Sequence, residues 1–195
     1  MAVGPIGSAT ACSALSKSSA VPPGEKRRIT AQDLIGLREI GHPDSALFGL
    51  PSPLAVDPSR RSIAFVVSRA DAETNAYCRS LVVLELDGRA PAKVIDSGGD
   101  IIVQNVTRAG ILIASGSPLS VVPLWSPDGS TLAYLRRDQG KTQIWLADRD
   151  GQTGRQLTHS DVDVETFEWG ADGRGHQILN RSWPPFRGPQ TGGMS

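Results

Sequence analysis

The chain has 195 residues, with 20 basic and 20 acidic side chains and therefore a formal net charge of zero. No basic stripe marks a nucleic-acid footprint, and no stretch approaches the roughly 20 apolar residues that a membrane span needs. The two cysteines, Cys12 and Cys78, predict neither a disulfide nor a metal site, because no metal-ligand spacing is present. We therefore expect no nucleic-acid partner, no membrane span and no metal or cofactor.

Residues 1–28 are small, polar and rich in proline and glycine. A secretory signal needs a basic start and an apolar run of about 7–15 residues, and this segment has neither. It predicts a disordered leader or a signal truncated by a misplaced start. The compartment is left open between cytoplasm and periplasm.

Residues 29–48 predict a short amphipathic helix and a connection. Thr30 is placed to cap the helix, with Asp33 three residues on, and Gly41 is placed to end it. The apolar side chains on one face are Leu34, Leu37 and Ile40. We expect a structural helix that packs against the first unit, or the rim, of the domain that follows.

A pattern of turns and short apolar runs is clearest in residues 125–158. It begins with Pro127-Asp128-Gly129, in which proline presets φ and glycine accepts a positive φ. Apolar runs of strand length follow at 132–135 and 143–147, and residues 155–158 predict a third, shorter strand; polar turns separate the three. Three short strands joined by turn chemistry are typical of an antiparallel meander.

The pattern recurs on either side of this segment. An upstream copy aligns when Pro58 is placed on Pro127, and a downstream copy starts at Trp169, 44 residues after Trp125. That spacing lies in the range of about 40–50 residues per β-propeller blade. The apolar runs of the upstream copy are residues 63–65, 80–86 and 92–95.

These repeats predict an all-β fold: a partial β-propeller of about three four-stranded antiparallel blades with a short N-terminal helix. The propeller is assigned to residues 49–175. Its blades are expected at about 49–98 and 99–160, with an incomplete blade at 161–180.

The extra length of the upstream copy falls at residues 70–79 and 98–120, which we assign to loops on one rim. Closed propellers need at least four blades, because radial packing then leaves no long unprotected edge. Three blades leave two edges open. Either the chain pairs with a partner, or it is part of a longer protein, and the second explanation is favoured.

Residues 176–195 predict an irregular tail. The apolar run that should follow Asp172-Gly173 is missing, and "LNRSWPPFRGPQTGGMS" has no period and is rich in proline and glycine. Two explanations stay open: a natural flexible tail, or loss of the reading frame near residue 174. The second is favoured because the break comes in the middle of the motif.

No catalytic, cofactor-binding or metal-ligating residue is predicted in this chain. A serine nucleophile elbow reads G-x-S-x-G between a strand and a helix, whereas Ser117 in "SGSPLS" is followed by proline and is assigned to a loop. Asp161, Asp163 and Glu165 could form an acid pair or a cation loop, but polar residues of a blade-to-blade crossing are favoured. The three histidines lie beside turn residues and are assigned to the surface: His42, His159 and His176.

The repeat "WSPDGSTLAYLRRDQGKTQIWLADRDGQTGRQLT" resembles that of TolB-like proteins and of the prolyl oligopeptidase family. The combination of "ITAQDLIGLREIG", "VDPSRRSIAFVVSRADAETNAYCRSLVVLELDG", "GSPLSVVPLWSPDG" and "HSDVDVETFEWGADGR" is similar to the N-terminal part of lasso peptide isopeptidases, a branch of that family. The likeness runs from about Ile29 to Gly173. It implies a propeller that caps an α/β-hydrolase domain bearing a Ser-Asp-His triad, none of which can be placed on this chain.

Two hypotheses of function follow from the repeat and the resemblance. In the first, the chain is the substrate-gating propeller part of a serine peptidase that hydrolyses the isopeptide bond of lasso peptides, and it is inactive alone. In the second, it is a stand-alone TolB-like module that binds a peptide or protein partner. A pseudogene remnant is also compatible with the first.

Overall fold

The computed structural model describes residues 26–41, 52–72, 75–108 and 111–170. Every strand pairing recorded in these ranges is antiparallel, which confirms the all-β prediction. No helix in the described ranges is long and apolar enough to cross a membrane. The elements are α1 (Ala31–Ile35), β1 (Arg38–Glu39), β2 (Ala55–Val56), β3 (Ser62–Asp71), β4 (Ala76–Glu85), β5 (Lys93–Ser97), β6 (Val103–Arg108), β7 (Ile111–Pro118), β8 (Leu124–Trp125), β9 (Thr131–Asp138), β10 (Lys141–Asp148) and β11 (Arg155–Gln156).

The first blade is the sheet β1-β3-β4-β5, in which β2 also pairs with β3. Strands β3 and β4 pair over their full length, from Ser62 opposite Glu85 to Asp71 opposite Ala76. The apolar runs predicted for the upstream copy, at residues 63–65, 80–86 and 92–95, all lie in this blade. The assignment of residues 70–79 to a loop is wrong, because most of that segment continues the β3–β4 hairpin.

The second blade is the sheet β8-β9-β10-β11. Strands β9 and β10 pair from Thr131 opposite Asp148 to Asp138 opposite Lys141. Gln139 and Gly140 join them with φ of 51° and 77°, the two positive values that a type I′ hairpin turn requires. The three strands predicted after the Pro-Asp-Gly turn are confirmed.

A separate hairpin of β6 and β7 lies between the two blades in the sequence. The prediction of a loop over residues 98–120 is wrong for most of its length, because β6 and β7 lie within it. Ser117 therefore lies in β7, near its end, and not in a loop. A two-stranded insertion satisfies its own backbone donors and acceptors, which a loop of this length has to leave to solvent.

The same tryptophan hydrogen bond ties each unit to the one before it. The indole Nε1 of Trp125 donates to the backbone carbonyl of Ala55 over 3.1 Å. Trp169 donates in the same way to the carbonyl of Leu124, also over 3.1 Å. Ala55 and Leu124 are equivalent when Pro58 is placed on Pro127, so the start of a third unit docks on the second blade as the second docks on the first.

One apolar core runs through both blades and reaches the start of the third unit. It is made of the alternate side chains that the strands turn inward, which explains why the predicted runs are apolar. Its fully buried members include Ala64, Ile95, Leu132, Ile144, Leu146 and Val164.

The N-terminal helix begins as predicted but is shorter than predicted. Thr30 caps it, and its hydroxyl and backbone form a capping box with Asp33. The helix ends at Ile35 with Gly36 as its C-cap, and not at Gly41, because the chain must be extended at Arg38–Glu39 to pair with β3. None of its residues is buried, so the expected packing of its apolar face is not observed among the described residues.

The predicted leader falls on residues 1–28, of which the structure describes 26–28. The tail and the later part of the third blade lie outside the described residues, as do His42, His176 and Cys12. The expectations for these segments stay predictions.

Candidate functional site

Three polar side chains stand in register across three neighbouring strands of the first blade. Glu39 of β1 is opposite Ser68 of β3, and Ser68 is opposite Arg79 of β4. Residues directly opposite each other in antiparallel strands project from the same face of the sheet. We call Glu39, Ser68 and Arg79 the polar row.

The polar row forms one wall of a cavity of about 250 Å³. The facing wall comes from the chain that enters and leaves the β6–β7 hairpin. The apolar side chains of that wall include Ile102, Leu119 and Val121, with Ser120 between the last two. The backbone N–H of Leu119 donates to the carbonyl of Ile102 over 2.7 Å, which holds the two arms of this wall together.

Arg79 is the buried member of the polar row, with 7% of its surface exposed. Its Nη1 donates to the backbone carbonyl of Asp100 over 2.7 Å. Burial lowers the pKa of Arg79 to about 10, and the positive charge of Arg136 acts in the same direction. The negative charges of Asp100 and Asp138 act in the opposite direction, so the buried guanidinium already lies among carboxylates of the chain itself.

Two glycines bring Asp100 to Arg79. Gly98 and Gly99 have φ of 119° and 88°, in the region that favours glycine. A Cβ on either would meet the side chain of Arg136 at 2.7 or 2.8 Å. The sharp turn lets the chain leave β5 close to the second blade.

Asp96 fastens the two blades in their interior. Its carboxylate accepts hydrogen bonds from Tyr134 Oη at 2.5 Å, from Arg136 Nη1 at 2.7 Å and from the backbone N–H of Gly154 at 2.8 Å. Arg136 also lies 4.1 Å from the ring centroid of Trp145, within the range of a cation–π contact. These contacts fix the position of β9 of the second blade against β5 of the first.

Arg149 joins the two blades near the start of β3, where Ser62 is opposite Glu85 of β4. Its guanidinium bonds Glu85 at 2.8 Å, Ser62 Oγ and, at 3.4 Å, Asp57. Asp96 is opposite Leu81, which is opposite Val66 of β3, and Val66 is four residues, or about 13 Å along a strand, from Ser62. The two inter-blade clusters therefore lie on either side of the core and make the paired blades a rigid support.

The candidate residues singled out in the sequence do not meet in one site. His159 follows β11 and is exposed, as predicted. Asp163 accepts hydrogen bonds from the backbone N–H of Thr142 and from Arg137 Nη1, both at 2.8 Å. These bonds give it a structural role, because they hold the chain after the second blade against the β9–β10 hairpin. Among the described residues, no group of His, Cys, Asp and Glu side chains could hold a metal ion.

Cys78 lies within β4 and is 1% exposed. Cys78 and Arg79 both fall in the segment 70–79, whose assignment to a loop gives no reason to expect a buried side chain at either position. The available signal is that Arg79 lies two positions before Leu81, at the start of the apolar run Leu81–Leu84, and therefore on the same face of a strand as Leu81 and Val83.

No family model matches the chain. The lasso peptide isopeptidase AtxE2 of Asticcacaulis excentricus is 34% identical to it over 143 residues, which are 72% of this chain and 20% of that protein. The solved structure of AtxE2 without ligand superposes with a TM-score of 0.66, at 31% identity, over 74% of this chain and 22% of that one. A second AtxE2 structure, with Astexin3-dC4 bound, gives a TM-score of 0.65 at 32% identity, over 72% of this chain and 22% of that one.

A TolB homologue of Protochlamydia amoebophila is 39% identical over 54 residues, which are 28% of this chain and 12% of that protein. This shorter match has the length of about one repeat. The chain spans about a fifth of the length of the curated AtxE2 protein.

The fold and these likenesses define the structural class of the chain. It is a set of antiparallel blades of a partial β-propeller, as predicted. It is homologous to the propeller region of lasso peptide isopeptidase AtxE2 and carries TolB-like repeats. The resemblance read from the sequence is confirmed.

Proposed function

We propose that this chain is the substrate-gating propeller part of a serine peptidase that opens the isopeptide bond of lasso peptides. The observation that carries the proposal is the 34% identity to AtxE2 over 143 residues. In this proposal the propeller admits and positions the peptide, and a hydrolase domain outside these 195 residues cleaves it.

The chemical groups of the described residues agree with a role in binding the peptide and not in cleaving it. They supply a cavity with a buried guanidinium and an apolar wall, which are binding groups. In the described ranges the single histidine, His159, is exposed beyond β11, and it is not near the polar row in the sequence or the sheet order. Binding and orientation are therefore the roles proposed for this chain.

The chemistry proposed for the hydrolase domain is that of the family. A serine activated by a histidine base attacks the carbonyl carbon of the isopeptide amide, and an oxyanion hole stabilises the negative oxygen. The tetrahedral intermediate then breaks its C–N bond, and the histidine gives the proton to the leaving amine. A water molecule activated by the same histidine attacks the resulting acyl-enzyme, which releases the carboxylic acid and restores the serine. The two inter-blade clusters around Asp96 and Arg149 contribute by holding the propeller wall in place, which limits the geometries the bound peptide can adopt.

A chimera tests the proposal. The stretch of AtxE2 that matches this chain is replaced by the corresponding residues of this chain, and hydrolysis is measured with the unthreaded and threaded forms of the AtxE2 substrate. We expect a folded chimera that hydrolyses the threaded form, while the 195-residue chain alone hydrolyses neither.

The matched control is AtxE2 with the same stretch replaced by repeats of the TolB homologue, which should fold as blades but lose turnover. A chimera of this chain that melts cooperatively and yet hydrolyses nothing would contradict the proposal. Turnover by the isolated chain would contradict it as well.

The short match to the TolB homologue favours a second candidate, a propeller module that binds a peptide or protein partner without any linked enzyme. The nucleotide sequence downstream distinguishes the two. Further blades and a G-x-S-x-G motif in any of the three frames support the peptidase, and their absence supports the binding module.

A further inference from the structure

We infer that the cavity beside the polar row is a subsite for one uncharged, apolar side chain of a bound peptide, of about the size of leucine. This inference deepens the proposed function and rests on it in one respect: it takes the ligand to be a peptide. The side chain enters the cavity and contacts the wall that faces the polar row, while the backbone of the peptide stays outside.

The size of the cavity fits one side chain. Pockets that enclose drug-sized ligands measure about 300–1,000 Å³, whereas an engineered apolar cavity of about 150 Å³ is enough to bind benzene. The cavity beside the polar row measures about 250 Å³. It therefore has room for an aliphatic side chain or a phenyl ring, but not for a whole short peptide.

Apolar side chains line the cavity on both walls. Ile102, Leu119 and Val121 lie on the facing wall, and Val66 lines the cavity from β3. Val66 is two residues from Ser68 in this strand and therefore projects from the same face of the sheet. A leucine side chain that enters the cavity exchanges its contact with water for contact with these residues, which favours binding.

The charges around the cavity favour an ion of neither sign. Arg79 already donates to the carbonyl of Asp100, and the charges of Asp100 and Asp138 act on its guanidinium. A ligand carboxylate would meet these carboxylates and that of Glu39, and a ligand ammonium group would meet Arg79. Removing an ion from water is costly unless it gains a partner of its own. An uncharged side chain avoids this cost.

The chain itself holds the cavity in shape. The hydrogen bond from the N–H of Leu119 to the carbonyl of Ile102 fixes the facing wall before a ligand arrives, which reduces the entropy lost on binding. Only 7% of the surface of Arg79 is exposed, so an apolar side chain beside it displaces little of its water. Glu39, at the other end of the polar row, is exposed and stays hydrated.

Binding of four short peptides to the 195-residue chain tests the inference by ligand-observed NMR. The probes are acetyl-Ala-X-Ala-amide, in which X is Leu, Asn, Glu or Lys. Leucine and asparagine have nearly the same shape, so the difference between them measures the apolar contact. We expect the Leu peptide to bind about tenfold more tightly than the Asn peptide, and the Glu and Lys peptides to bind no more tightly than the Asn peptide.

Variants assign the preference to this cavity. Ser68→Phe fills the cavity and should abolish the preference for the Leu peptide. Leu119→Asn makes the facing wall polar and should reduce the preference several-fold, which keeps the test valid if Ser68→Phe fails to fold. Leu86→Asn is the matched control and should retain the preference, because Leu86 is 53% exposed immediately after β4, away from Arg79.

Equal binding of the Leu and Asn peptides would overturn the inference, and so would tighter binding of the Glu or Lys peptide or no binding of any of the four. A preference that a folded Ser68→Phe or Leu119→Asn variant retains in full would overturn it as well. The chimera separates this result from that for the proposed function. A Leu preference of the 195-residue chain together with an inactive chimera would refute the proposed function alone, and equal binding together with an active chimera would refute the inference alone.

Discussion

The carboxylate of Asp96 in the first blade accepts a hydrogen bond from Tyr134 Oη in the second blade at 2.5 Å. The two residues are 38 positions apart in the sequence, and both side chains are buried. Arg136 and the backbone N–H of Gly154 complete the shell of the carboxylate. The blades are thus joined in their interior by a charged group whose partners all lie on the other blade.

Removal of this carboxylate should destabilise the chain strongly. Asp96→Ala leaves the guanidinium of Arg136 and the N–H of Gly154 in a poorly solvated site. Breaking one partner of a buried ion pair costs about 3–5 kcal/mol. Urea unfolding followed by tryptophan fluorescence measures the change. Asp87→Ala is the control, since Asp87 lies on the turn after β4 with 53% of its side chain exposed and should change the stability by less than about 1 kcal/mol.

Tyr134 makes the stability sensitive to alkaline pH. Burial and the charge of Asp96 raise the pKa of Tyr134 above its ordinary value near 10. The folded state therefore holds the phenol proton more tightly than the unfolded state. This contribution to stability is complete below about pH 10 and is lost as the pH rises above it, by about 1 kcal/mol per pH unit.

The measurement compares the free energy of unfolding at about pH 9 and about pH 11 in three proteins. The loss should be smaller in Tyr134→Phe than in the wild type. Tyr77→Phe should retain the full loss, because Tyr77 is 45% exposed. An identical loss in all three proteins would show that Tyr134 does not titrate differently in the two states.

The strands of both blades could be predicted from the sequence because their signals are local. The turn at Pro127-Asp128-Gly129 and the apolar run that follows it are contiguous, and the same order recurs from Pro58. The turn works as expected: Asp128 Oδ1 accepts from the N–H of Ser130, and Gly129 has a φ of 71°. Alternation and turn chemistry are properties that neighbouring residues define by themselves.

The β3–β4 extension and the cavity could not be predicted in this way. The segment around Asn75 is polar and has loop chemistry, and Asn75 does adopt a positive φ of 50°. The strands nevertheless continue on both sides of it, because pairing across the hairpin satisfies the backbone. Glu39, Ser68 and Arg79 are brought together only by the register of three strands, which no single stretch of sequence specifies.

Asp57 makes the stability sensitive to acid. Burial would raise its pKa, but hydrogen bonds from Ser59 Oγ and from the backbone N–H groups of Ser62 and Arg61 lower it to about 2, with the charge of Arg149 acting in the same direction. A lowered folded-state pKa stabilises the protein above the unfolded value of about 3.9, and this contribution is lost as the pH falls towards 2.

The free energy of unfolding should therefore fall between about pH 4 and pH 2, and the fall should be smaller in Asp57→Asn. Asp161→Asn removes the same charge from a fully exposed side chain and serves as the control. A fall of equal size in Asp57→Asn and the wild type would exclude this role of Asp57.

Gly154 lets the second blade approach Asp96, and adding one methyl group there should disturb the Tyr134–Asp96 bond. A Cβ at Gly154 would overlap Tyr134 Oη and lie 3.0 Å from Asp96 Cγ. The backbone of Gly154 is outside the positive-φ region, so the cost of Gly154→Ala comes from this overlap and not from backbone strain. Overpacking of this kind typically costs about 1–3 kcal/mol.

A double-mutant cycle separates the overlap with Tyr134 from every other effect of the substitution. Tyr134→Phe removes Oη, so Gly154→Ala should cost less in that background than in the wild type. Because the two residues are in contact, the coupling should exceed about 0.5 kcal/mol. Additive costs would mean that the loop carrying Gly154 moves away without disturbing Tyr134. In that case Asp96 would retain its bond from Tyr134 and lose only the one from the Gly154 N–H.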